Sequence, residues 1–158
     1  MNAAHLHLLL NHIPVIGIPI SGVLLVLAVA TKQQAQVRIA LGFTVVLALL
    51  TVPVYLSGEP AEEIVEDLPG VPHAVLEEHE EIAEVTFVVT EVLGALALLG
   101  LALAWKRGKV PKPLAYGSLV LVLIASSLLA RTAYSGGQIR HTEIREATPP
   151  GPSSERGR

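Results

Sequence analysis

The six histidines of this 158-residue chain fall in three short regions. His5, His7 and His12 stand in HLHLLLNHIP, His73 and His79 in VPHAVLEEHEE, and His141 in GGQIRHTEI. Imidazole nitrogens ligate haem iron and divalent metals, and nearby carboxylates can add oxygen donors. Carboxylates are plentiful. Ten of the fourteen acidic residues lie between Glu59 and Glu84, with no Lys or Arg among them. Most would form a water-facing cap, and together they would also attract cations or a basic partner. There is no cysteine. Disulfides, thiolate metal sites and covalent c-type haem attachment are therefore excluded.

Membrane helices must position these groups. Hydrophobic residues make up 51% of the chain and the mean hydropathy is +0.57. Four apolar runs, 6–30, 38–57, 82–105 and 114–134, are each long enough to cross a bilayer as a helix. The first run ends in Ala28-Val29-Ala30, which resembles a signal-peptide cleavage site. Pro14, Pro19 and the lack of a preceding Lys or Arg argue for a retained span instead. The fold expected is an all-α integral membrane four-helix up-down bundle over 1–145, with an acidic loop at 58–81. Residues 146–158 have the composition of a disordered tail.

Loop charge orients the bundle. Lys32 and Arg38 flank the first short loop, and Lys106, Arg107, Lys109 and Lys112 fill the third. The positive-inside rule puts both in the cytoplasm, so both termini lie outside. The expected location is a bacterial cytoplasmic membrane, crossed several times, with lipid as the main partner.

That topology brings every histidine to the outer side, where side chains from facing helices can build a site. The spacing singles out His12, which sits beside a stretch of helix disturbed by Pro14, Gly17 and Pro19. His5 shares its helical face, and His7 points elsewhere. His79 and His141 are the facing candidates. Pro60 and Pro72 look like first-turn prolines, which predicts a short helix over PAEEIVED and a long one starting near His73. Glu91 lies about 13 Å inside the third span at 1.5 Å per residue. An intramembrane carboxylate is costly and therefore a functional candidate. It would otherwise be protonated and bonded to a neighbouring helix through Thr51, Ser126 or Ser127.

HLHLLLNHIPVIG, YLSGEPAEEIVEDLPGV, EEHEE and the late GGQIRHTEI together resemble a family of small bacterial four-helix membrane proteins, the domain of unknown function DUF2231. The resemblance covers about residues 5–144. It departs from the family in the short distance between Gly137 and His141. The family has no established activity, and the resemblance implies the bundle and its histidine element alone.

Three functions fit these residues. The first is noncovalent haem b binding and electron transfer. His12 and His79 would be axial ligands, His141 an alternative, and Arg131 and Arg140 would meet the propionates. Leu8, Ile16, Val54 and Phe87 would pack on the macrocycle. The second is a site for a zinc, copper or iron ion built from His12, His79 and His141 with Glu59, Glu80 or Glu84, and with Glu91 as a deeper station. The third is a structural subunit of a larger membrane redox complex, its outer layer knitted by histidine–carboxylate bonds. The sequence holds no nucleophile constellation, phosphate-binding loop or nucleic-acid signature, so nothing marks it as an enzyme with its own substrate or as a partner of nucleic acid.

Overall fold

The protein is described by a computed structural model over residues 2–141, Ile144 and Arg145. The expected tail, 146–158, lies outside the described residues. Six α-helices occur among the described residues: α1 (Ala3–Leu10), α2 (His12–Thr31), α3 (Gln34–Leu56), α4 (Gly58–Val65), α5 (His73–Arg107) and α6 (Lys112–Arg140). The protein is an all-α bundle whose four long helices are apolar enough to cross a membrane.

Local chemistry sets the helix ends. The Asn2 side chain caps α1 by accepting from the His5 N–H at 2.9 Å. The helix is interrupted only at Asn11, which keeps helical angles (φ −61°, ψ −25°) and donates its N–H to the His7 carbonyl, and α2 begins at His12 with Pro14 in its first turn, where a missing N–H costs little. The expected disturbance is therefore slight, and α2 runs on through Pro19. Both tight turns are closed by a left-handed residue, Lys32 (φ 57°) after α2 and Gly108 (φ 75°) after α5. Arg38 donates to the Gly108 carbonyl, and the Gln34 side chain accepts from the Val110 N–H, which ties the two turns together.

The short outer helix expected over 60–67 occupies Gly58–Val65, and the long helix starts at His73 as expected. At 35 residues, α5 is about 52 Å long at 1.5 Å per residue, far more than a bilayer core requires. Its first turns therefore extend beyond the apolar band.

Each of α2, α3, α5 and α6 packs on two neighbours, forming a ring in which α2 meets α3 and α6, and α5 meets α3 and α6. Small residues let the backbones approach, as expected where lipid removes the hydrophobic drive between helices. A Cβ at Gly94 would collide with Ala48, and one at Gly17 would collide with Leu47. Ala28, Ala40, Ala97 and Ala104 are nearly sealed in the core. Large apolar side chains such as Leu49, Val88, Leu98 and Leu123 point outward. Buried Ser21, Thr44, Thr51 and Thr90 bond back to carbonyls of their own helices, so no hydroxyl proton is stranded there.

The two hairpins are structural repeats. A constant register shift carries buried Pro14, Ile18, Ser21, Gly22, Leu25 and Ala28 onto buried Thr86, Thr90, Leu93, Gly94, Ala97 and Gly100. Another carries Val37, Ala40, Thr44, Leu47 and Thr51 onto Ala115, Ser118, Val122, Ala125 and Leu129. The second hairpin is longer only at its turn. Both hairpins run in the same direction, so the repeats are related by a pseudo-two-fold axis along the bundle.

Candidate functional site

The repeat places one imidazole at equivalent positions in each half. His7 on α1 corresponds to His79 on α5. The His7 Nδ1–H donates to the Val54 carbonyl (3.2 Å) and to Ser57 Oγ (3.0 Å) at the end of α3. The His79 Nδ1–H donates to the Thr132 carbonyl (3.1 Å) and to Ser135 Oγ (3.0 Å) near the end of α6. In both cases the serine spends its own proton on the same carbonyl, Ser57 on Val54 (2.7 Å) and Ser135 on Thr132 (3.0 Å).

These bonds fix the tautomers. A carbonyl oxygen can only accept, so each Nδ1 carries the hydrogen and each Nε2 holds a lone pair. Neither Nε2 has a hydrogen-bond partner among the described residues, and neither is sealed from solvent. An Nδ1–H held by a backbone carbonyl is the usual arrangement of a histidine whose Nε2 ligates a metal.

Glycine lets the His79 ring lie close to its partner helix, whereas His7 meets Gly58 at ordinary contact distance. A Cβ at Gly136 would come within 2.9 Å of His79 Cε1, and one at Gly58 within 3.8 Å of His7 Cε1. Thr86 Oγ1 and Thr132 Oγ1 bond at 2.8 Å and lock α5 to α6 two turns below His79. On the α3–α5 side the rings of Tyr55 and Phe87 stack, with centroids 4.2 Å apart and planes 8° apart.

Of the residues expected to form a site, His79 is half-buried and inward, at the centre of this arrangement. His12 is exposed, and its Nδ1 bonds the Leu8 carbonyl at 2.8 Å. His5, His73 and His141 are exposed as well. Glu59, Glu80 and Glu84 face solvent, and no group of three His, Asp or Glu residues able to hold a metal ion occurs among the described residues. Arg131 pairs with Glu78 at 3.6 Å on the surface, and Arg140 is exposed. Glu91 borders a shallow groove of about 210 Å³ with Val45, Ala48 and Gly94. One of its oxygens is sealed without a hydrogen-bond partner among the described residues, while Thr51, Ser126 and Ser127 bond their own helices.

Sequence reasoning passed over His7, Ser57 and Ser135. A signal for them exists in the Ser-Gly pair that ends each return helix, Ser57-Gly58 after Tyr55-Leu56 and Ser135-Gly136 after Tyr134. Arg145 was also missed. It donates to the Gln138, Ile139 and Gly70 carbonyls and ties the end of α6 to the loop before α5.

No family model, curated protein or solved structure matches the chain, so the resemblance to the DUF2231 layout rests on its short motifs alone.

Proposed function

We propose that this is a b-type haem protein of a bacterial cytoplasmic membrane, and that it carries electrons with His7 and His79 as the axial ligands. The observation that carries the reading is the pair of equivalent imidazoles, each tethered through Nδ1 and each with a free, accessible Nε2. His7 and His79 would hold haem through their two Nε2 atoms, and two protein donors are what a b-type haem asks for. A zinc ion asks for three or four protein ligands. The donor set here is two, which favours haem over a bare ion.

Bound haem would supply one-electron chemistry at its iron. The protein's own residues do the rest. The Val54 and Thr132 carbonyls orient the rings and raise the electron density of each Nε2. The apolar helices below the site keep water from its inner edge. Arg131 and Arg140 lie at the same end of the bundle and would pair with the propionates, which asks Arg131 to leave Glu78. The basic turns at the opposite end support an orientation with the histidine end outside.

The test is an optical spectrum of protein purified in mild detergent, oxidised and then dithionite-reduced. A Soret band with sharpened α and β bands on reduction is expected. It should disappear in His7→Ala and in His79→Ala and persist in His12→Ala and His141→Ala. Folded, haem-replete protein without a Soret band overturns the reading. Stoichiometric metal would then mark an ion between the two Nε2 atoms, and its absence would leave a structural subunit held together by these bonds.

A further inference from the structure

The repeat is broken at the turn that joins α5 to α6. Gln33 and Pro111 are equivalent caps that open α3 and α6. By the register of α2 on α5, Lys32 falls on Ala104. The residues Trp105–Val110 therefore have no counterpart in the first hairpin. They hold the chain's single tryptophan and the cations Lys106, Arg107 and Lys109, and Lys112 follows at the start of α6.

This insertion is anchored at its backbone. Arg38 donates to the Gly108 carbonyl, Gln34 Oε1 accepts from the Val110 N–H at 2.8 Å, and the Val110 side chain packs in the core with Leu41 and Ala104. Lys106, Arg107, Lys109 and Lys112 are exposed and form no ion pair among the described residues. No Asp or Glu occurs at 1–58 or 92–142 to neutralise them. The helix dipole accounts for Lys106 and Arg107, which stand in the last turn of α5. It does not account for Lys112, which opens α6 with no acidic residue in the first turn, at the end of a helix that attracts anions. Trp105 is 91% exposed and stands seven residues after exposed Leu98, on the same helical face. It ends the lipid-facing stripe of α5 at the level where tryptophan rings gather at a bilayer surface.

We propose that the Trp105–Val110 turn is a headgroup site for anionic phospholipid of the adjoining leaflet, whose phosphate oxygens meet Lys106, Arg107, Lys109 and Lys112 while Trp105 lies beside its acyl chains. Cations clustered next to a membrane span attract anionic headgroups. Arginine matches the fork of a phosphate, and lysine reaches it as a point charge. A turn already fixed by Arg38, Gln34 and Val110 loses little backbone freedom on binding. The exposed Trp105 ring favours lipid over an acidic protein, because it continues the apolar stripe of Leu98 rather than facing water.

Trp105 is also the probe, as the chain's only tryptophan. Full-length protein is reconstituted into phosphatidylcholine vesicles containing a minor share of phosphatidylglycerol, with brominated acyl chains on one lipid and then on the other, and quenching of Trp105 fluorescence is read. Both leaflets have the same composition, so the orientation of insertion does not matter. Phosphatidylglycerol should occupy the places beside Trp105 about fivefold more than random mixing gives, the equivalent of one cation at an anionic surface. Lys106→Gln, Arg107→Gln and Lys109→Gln together should return quenching to the random value. Lys32→Gln, in the turn without the insertion, should keep the preference. Molar salt should weaken it in the parent. If the triple variant does not reconstitute, the salt series on the parent decides, and a preference unchanged by salt overturns the inference. It is equally overturned by a triple variant that keeps the preference, or by Lys32→Gln abolishing it, which would make it an effect of net charge. A parent that shows no preference overturns it too, and turns these cations toward an acidic protein instead.

Discussion

The His79 ring lies against the backbone of Gly136, so closely that a Cβ at that glycine would stand 2.9 Å from Cε1. This contact holds the imidazole at the distance from which its Nδ1 reaches both Thr132 and Ser135. Gly136→Ala should therefore displace the ring and cost about 1–3 kcal/mol of stability, as overpacking generally does. Gly58→Ala, with 3.8 Å to His7, should be tolerated. Thermal unfolding of the two variants, read with their Soret intensities, checks the difference. Equal behaviour would show that the close approach at Gly136 has no consequence.

The serines offer a finer probe than the histidines. Ser57→Ala and Ser135→Ala each remove one of two acceptors for an Nδ1–H and leave the carbonyl. We expect a stability loss of about 0.5–1.5 kcal/mol each. A histidine with fewer acceptors on Nδ1 is a poorer electron donor through Nε2, so the haem midpoint potential should rise in both variants. A redox titration showing no change, or a fall, contradicts the proposed role of these hydrogen bonds.

Glu91 has one sealed oxygen without a partner among the described residues and sits among Val45, Ala48 and Gly94. Burying an unpaired polar group costs about 1–3 kcal/mol, so Glu91→Leu should raise the unfolding temperature. Glu91→Gln should leave it nearly unchanged. A Glu91→Leu variant that is less stable than the parent would reveal a partner for the carboxyl supplied from outside this chain.

Arg145 bridges Gln138, Ile139 and Gly70 through three hydrogen bonds. Bonds from a charged donor are worth about 1.5–3 kcal/mol when well formed, and less where solvent reaches them. Arg145→Ala should loosen the loop before α5 and speed proteolysis there, while Arg131→Ala, whose pair with Glu78 is exposed, should not. Limited proteolysis in detergent, with the cleavage positions mapped, decides this.

The two histidine environments show where reading the chain by itself stopped. Hydropathy located all four long helices, because an apolar run of sufficient length carries its meaning locally. The alternation of turns and spans then required every histidine to gather at one end. Which imidazole turns inward was decided elsewhere. Each residue of a helix rotates its side chain by about 100°, and Asn11 keeps helical angles, so the five-residue step from His7 to His12 turns them to different faces. Packing of α1 and α2 on their neighbours left His12 exposed and sent His7 to the end of α3.

The acceptors were harder still to foresee. The His7 ring is met by the carbonyl of Val54 and the His79 ring by that of Thr132, and every residue carries a carbonyl, so side-chain identity gives no hint of the choice. Composition and charge pattern determined that this is a multi-pass helical membrane protein with its imidazoles at one end, since those properties add along the chain. The tertiary structure alone decided that two of the six imidazoles become an equivalent pair with free Nε2 atoms. Helix rotation, glycine contacts and the partners of Nδ1 are fixed only when distant segments pack.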